Sequence, residues 1–290
     1  MGAPVRTARK WLLGKEIEHM ISVAGTNQKE AGAIIEAGPS RMTGLINGVG
    51  VISVGDLEKL ANHLGFGDRG YQAALLELRR DNHKRGYWTM GYNRAYSEDT
   101  RLLIDLENHA DRIRYCEVEV MPGLVQCESY VRALHADLPD EDGVTLDDRV
   151  QARLARQRIY DKADPPTVHF VLSESCLRRV WGDEAVMREQ LNYLIKLSNR
   201  PNVMVQVMPF NAPPGRRSPI GTRFILLHIP SPGAAGPLEL AYTEDDTEIR
   251  YLDDKKALAK REQAWTRMST AALSFKESRT FMREVARDFQ

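Results

Sequence analysis

Cysteine is scarce in this 290-residue chain: Cys116, Cys127 and Cys176 are the only three, and no two are spaced as CxxC. An odd, scattered set supplies neither a disulfide framework nor a zinc site, so reduced thiols in a cytoplasm are expected. No apolar run approaches the roughly 20 residues that span a bilayer, and Trp11-Leu12-Leu13 is too short for a signal-peptide core. Net charge is also missing, with 40 basic against 40 acidic side chains, which argues against a uniformly basic nucleic-acid coat. The seven histidines are dispersed, HExxH and GxSxG are absent, and Val49-Gly50-Val51 lacks the third glycine and the preceding strand of a nucleotide loop. Ser173 and Ser175 beside Glu174 make no nucleophile arrangement. The expectation is therefore a protein that is not an enzyme, with no catalytic residues, no cofactor, no metal and no membrane contact.

A 42% hydrophobic content and this length suffice for two domains with a sizeable core. The charge is unevenly spread. Residues 1–86 hold twelve Lys/Arg against nine Asp/Glu, and the remainder 28 against 31. That sign suits an N-terminal DNA reader on a more acidic body.

Asn27 to Gly48 reads as two short helices and a tight turn. Ala31, Ile34 and Ile35 share one face of the first, with Gln28 and Lys29 at its solvent-facing start. Gly38-Pro39-Ser40 opens the second, because a proline without an N–H fits the first turn of a helix. Met42 and Leu45 are its buried side, and Asn47-Gly48 supplies a left-handed stop. Helices this short need neighbours.

Gln28, Glu30, Ala31, Ile35, Ser40, Met42, Leu45, Asn47 and Gly48 fall in the order and spacing of the helix-turn-helix of phage-repressor-like, Xre-type regulators, which this stretch resembles. The resemblance implies a lambda-repressor-like, five-helix DNA-binding domain. Gln28 and Lys29 would open the positioning helix, and Pro39, Ser40, Arg41, Thr43, Gly44 and Asn47 would line the recognition helix, Arg41 its one cation. Two positions depart from the family. Glu36 replaces the usual turn glycine, so the turn is either strained, at about 1 kcal/mol for a Cβ in a left-handed conformation, or shaped differently. Gly44 replaces a long polar reader, and the loop Val49 to Ile52 is apolar where relatives are basic.

Along the rest of the chain, Arg6, Arg9, Lys10 and Lys15 form a basic arm, either laid along phosphates or frayed. A helix from Leu13 to Ala24 carries Glu16, Glu18 and His19 on its outer side. Ser53 caps a helix through Leu64, and a fifth helix runs from Gly70 to Lys84. The aromatic stretch Gly86 to Asn93 marks a boundary that docks domains or subunits, and Ser97 to Arg112 is a connecting helix. Strands are expected at Ile113 to Val120, before Glu174, at Asn202 to Phe210, at Thr222 to Ile229 and at Leu238 to Thr243. The proline-rich loop from Pro209 to Gly221 holds Arg216 and Arg217, which either clamp an anionic ligand or partner or lie in a disordered connection. Leu258, Trp265, Met268, Ala272 and Phe275 make a stripe that serves either the core or a symmetric subunit contact. Ser278 is expected to start the last helix.

Glu119 to Gln126 with Tyr130 and Ala133, Arg153 to Arg158, Val171 to Arg179 and Asn202 to Phe210 resemble the C-terminal domain of WhiJ-like, antitoxin-like actinobacterial regulators. Those proteins couple an Xre-type reader to a domain of uncertain role, and a small partner protein is often encoded alongside. The fold class expected is α+β: a helical domain over 1–86, a linker and connecting helix over 87–112, and a larger mixed α/β sensor and dimerisation domain over 113–290 with a mostly antiparallel sheet and C-terminal helices. The function expected is a homodimeric transcriptional regulator that binds specific double-stranded DNA. Two alternatives stand beside it: an antitoxin-like, protein-binding adaptor whose helix-turn-helix has drifted, and a small-molecule receptor domain that controls DNA binding.

Overall fold

The computed structural model describes residues 5–80, 92–139, 143–211, 221–245 and 247–289, with only the backbone of 92 and 93. Residues 212–220 of the proline-rich loop, Arg216 and Arg217 among them, lie outside the described residues, as does most of the aromatic boundary stretch. The class is α+β as expected: a run of helices, then a six-stranded sheet with further helices. No helix among the described residues is long and apolar enough to cross a membrane.

One compact unit gathers six helices, α1 (Ala8–Val23), α2 (Gln28–Ile34), α3 (Pro39–Ile46), α4 (Val54–His63), α5 (Arg69–Arg80) and α6 (Glu98–His109), together with the segment 229–238. The connecting helix thus packs with the N-terminal bundle, and so does a loop far away in sequence. Helix α1 begins well before the expected Leu13, because the Thr7 side chain accepts the Lys10 N–H and caps it there. The basic arm is consequently folded rather than extended. Lys10 is buried with its ammonium on the Val5 carbonyl, Arg9 donates to the Glu77 carbonyl, and Lys15 pairs with Glu18. Trp11, Leu12, Leu13, Ile17 and Met20 are core. Glu16, expected on the outer side, is fully buried.

The other unit holds the sheet, in the order β3-β2-β1-β4-β5-β6, and α7 to α12. Its strands are β1 (Arg112–Glu117), β2 (Thr167–Ser173), β3 (Val203–Met208), β4 (Phe224–Ile229), β5 (Leu238–Glu244) and β6 (Ile249–Leu252). Both β1–β2 and β2–β3 are parallel, with Tyr115 opposite Phe170 and Phe170 opposite Val205. The pairs β1–β4 and β5–β6 are antiparallel. The sheet is therefore mixed, with its β1–β2–β3 part parallel. The reason is in the connections: α7 (Glu128–His135) and α8 (Leu146–Arg156) lie between β1 and β2, and α9 (Glu174–Arg178) and α10 (Glu184–Leu197) between β2 and β3. A helical crossover returns the chain in the same direction, and a hairpin does not.

Helices α11 (Lys255–Ala271) and α12 (Phe275–Asp288) complete this unit. Trp265 and Met268 are buried with Cys116, Val171, Phe224 and Leu226, so of the two roles expected for the stripe these residues take the core one. Phe275 belongs to α12, which starts one turn earlier than expected on a Ser274–Glu277 capping box. Ser278 instead lies inside the helix, buried, its hydroxyl accepting the Val207 N–H at 3.0 Å.

The segment 121–126 is held by three glutamines. Gln126 donates to the Met121 carbonyl at 2.7 Å, and Gln157 to the carbonyls of Gly123 and Gln126. The Gln190 carboxamide accepts the Cys127 N–H at 2.8 Å and donates to the Val125 carbonyl at 2.7 Å. A buried irregular segment has no ladder to satisfy its amides, and these side chains replace one.

Candidate nucleic-acid interface

The Asn27 side chain starts α2 by accepting the N–H groups of Lys29 and Glu30, each at 3.0 Å. Ala31 and Ile35 turn inward, and Gln28 and Lys29 stay exposed. The chain then reverses through Glu36, which has φ 53° and is the one described non-glycine residue with positive φ. Of the two shapes expected for the turn, the strained one is found. Gly38 is the extended residue before α3, with Pro39 in the first turn.

On α3, Met42, Leu45 and Ile46 are buried, while Pro39, Ser40, Arg41, Thr43 and Asn47 are exposed and Gly44 is half-exposed. The proposed reading residues therefore share the solvent side of one helix. Arg41 is not idle: its guanidinium donates to Asp56 on α4 at 2.7 Å. That hydrogen bond is the largest cause holding the Asp56 carboxyl below its usual range, with a contribution from Ser53. Val51 in the loop after α3 and Val54 at the start of α4 are exposed.

Two of the residues that place α3, Arg6 and Gly14, lie outside the 27–48 stretch, and a third, Gly48, ends it. The Arg6 Nε donates to the Asn47 carbonyl at 2.7 Å, satisfying a group at the end of α3. A Cβ on Gly14 of α1 would stand 2.2 Å from the Ile46 carbonyl oxygen, so the two backbones meet with no side chain between them. Gly48 has φ 70°, and a Cβ there would stand 2.7 Å from the Trp11 Cα. Of these, Gly48 was legible in the sequence as a left-handed stop, whereas the roles of Arg6 and Gly14 toward α3 were not.

Arg216 and Arg217 lie outside the described residues, so their place relative to α3 is not part of this geometry. No curated protein and no solved structure matches the chain. The sequence model of one family, described as Domain of unknown function (DUF5753), matches residues 100–284, from α6 to α12. The match takes in the 229–238 segment and leaves α1 to α5 outside it. A match over more than half of the chain shows that the protein belongs to the DUF5753 family.

Proposed function

We propose that the protein is a sequence-specific, DNA-binding transcriptional regulator, in which an Xre-type helix-turn-helix formed by α2 and α3 reads a duplex. The remainder of the chain dimerises and receives a signal or a small partner protein. One observation carries the reading: the polar residues of α3, Ser40, Arg41, Thr43 and Asn47, are the ones left to solvent, while its apolar residues are buried. A major groove about 12 Å wide admits one helix, and side chains from its first turns meet base edges. The start of α3 carries no side-chain cap, which leaves its backbone N–H groups suited to phosphate oxygens. One such helix spans few base pairs, and a paired copy about one helical turn away multiplies specificity, which is the argument for a homodimer.

The test begins by selecting binding duplexes from a random pool with the full chain. Titration at fixed salt then compares the wild type with Arg41→Ala. Loss of the Arg41 contact is expected to weaken binding to the selected site by about 1 to 3 kcal/mol. Equal affinities would remove this docking.

Exposed Val51 and Val54 and the Arg41–Asp56 pair favour a second reading, an adaptor that binds a small protein through the same face. DNA affinity no better than nonspecific at physiological salt, with a partner retained in a pull-down, selects it.

A further inference from the structure

Glu16 is a carboxylate buried completely in α1, and what it holds is a strap from the far end of the chain. Its Oε1 accepts the Ser231 hydroxyl at 2.8 Å and the Ala235 N–H at 3.1 Å. Its Oε2 accepts the Ala234 N–H at 2.9 Å, the Ala235 N–H at 3.1 Å and the Tyr71 hydroxyl at 2.8 Å. These donors replace the water that a buried carboxylate loses. The strap is shaped to the acid: a Cβ on Gly233 would stand 2.3 Å from the Glu16 carboxyl carbon.

The strap, residues 229–238, joins β4 to β5 and so continues into two strands of the sheet. On α1, Glu16 lies two residues beyond Gly14, which places them about 200° apart around the helix. One side of α1 therefore meets the strap and the other meets the end of α3. The α3 contact is backbone on backbone, at Gly14 against Ile46 and at Trp11 against Gly48. At these two points no side chain lies between the backbones to absorb a displacement of α1, so it passes directly to the end of α3.

We infer that Glu16 is a positioning residue for α3, and that the strap sets the protein's DNA affinity through it without touching DNA. This rests on the reading of α3 as the DNA-contacting helix. The device gives the sheet a covalent lead into the reader: a signal that moves the ends of β4 and β5 pulls the donors away from Glu16, and α1 shifts against α3. Coupling of this kind changes affinity by about five- to 150-fold.

The experiment uses the full chain and three strap variants, Ser231→Ala, Ser231→Thr and Gly233→Ala, none of them near α3. Two readouts are taken: affinity for a selected duplex at fixed salt, and hydrogen exchange at the amides of residues 39–48. Ser231→Ala and Gly233→Ala are expected to lower affinity at least fivefold and to speed exchange over 39–48, whereas Ser231→Thr, which keeps the hydroxyl donor, restores both. Faster exchange over 231–236 with unchanged exchange over 39–48 overturns the coupling, because the strap is then released and α3 does not respond. If the wild type selects no duplex, the DNA-binding reading fails by itself, and the exchange comparison still decides whether the strap reaches α3.

Discussion

Replacing Glu36 by glycine is expected to stabilise the protein, and the size of the effect follows from one backbone angle. Glu36 sits at φ 53° in the turn between α2 and α3. In that region a Cβ crowds the following carbonyl oxygen at a cost of roughly 1 to 2 kcal/mol. Glycine removes the crowding but gives the unfolded chain more freedom, which takes back about 0.4 to 1 kcal/mol. The Glu36 side chain is exposed, so little packing is lost with it. The net gain is about 0.5 to 1 kcal/mol, or about 2 to 6 °C in the midpoint of a domain of this size. Urea denaturation followed by circular dichroism measures it, with an unchanged m-value expected. Glu36→Ala separates the causes, since it removes the carboxylate but keeps the Cβ and should give no gain. A Glu36→Gly variant no more stable than Glu36→Ala would refute the strained-turn argument.

Three other changes have expected outcomes. Asp56→Asn releases Arg41 from its exposed ion pair, and duplex affinity in a salt titration should rise by about 0.5 to 1 kcal/mol; a fall would mean that the pair orients Arg41 for DNA. Glu117 at the end of β1 is buried, and burial pushes its carboxyl up to about 7, against the opposing pull of Arg223. An unfolded Glu117 releases its proton near 4.5, so between that pH and 7 the folded state binds the extra proton and stability falls as pH rises. Glu117→Gln should flatten the pH dependence over that window and stabilise the protein at pH 8 by up to about 3 kcal/mol, read as denaturation midpoints across pH; an unaltered slope would place the titration elsewhere. Gln190→Leu strips the Cys127 N–H and the Val125 carbonyl of their buried partner and should cost about 2 to 5 kcal/mol in urea denaturation; a loss under about 1 kcal/mol would mean that water enters and replaces the carboxamide.

The turn chemistry around α3 was written locally. Asn27, Pro39, Ser53 and Gly48 act within a few residues of themselves, so composition and spacing set α2, α3 and the start of α4. The same holds for the passage from β2 into α9, where an apolar strand pattern meets the Ser173 cap. The departure at Glu36 was legible too, because a Cβ in place of a turn glycine leaves only a strained turn or a different one. The candidate reading face, Ser40 to Asn47, came from the same short-range pattern.

Contacts between distant segments were decided only by the tertiary structure. Nothing near Glu16 distinguishes it from Glu18, yet one is buried under residues 231–235 and the other is exposed beside Lys15. Helix α6 and the strap join the N-terminal bundle because Asp105 accepts the Ala8 N–H at 2.7 Å and the strap's N–H groups meet Glu16. Likewise the parallel half of the sheet depends on which strand each crossover returns to, and Trp265 is core because β1 and β4 lie beneath it. Capping and periodicity are governed by interactions within about one helical turn, so the sequence alone carries them. Whether a carboxylate 215 residues from a serine will meet it depends on the packing of the whole chain.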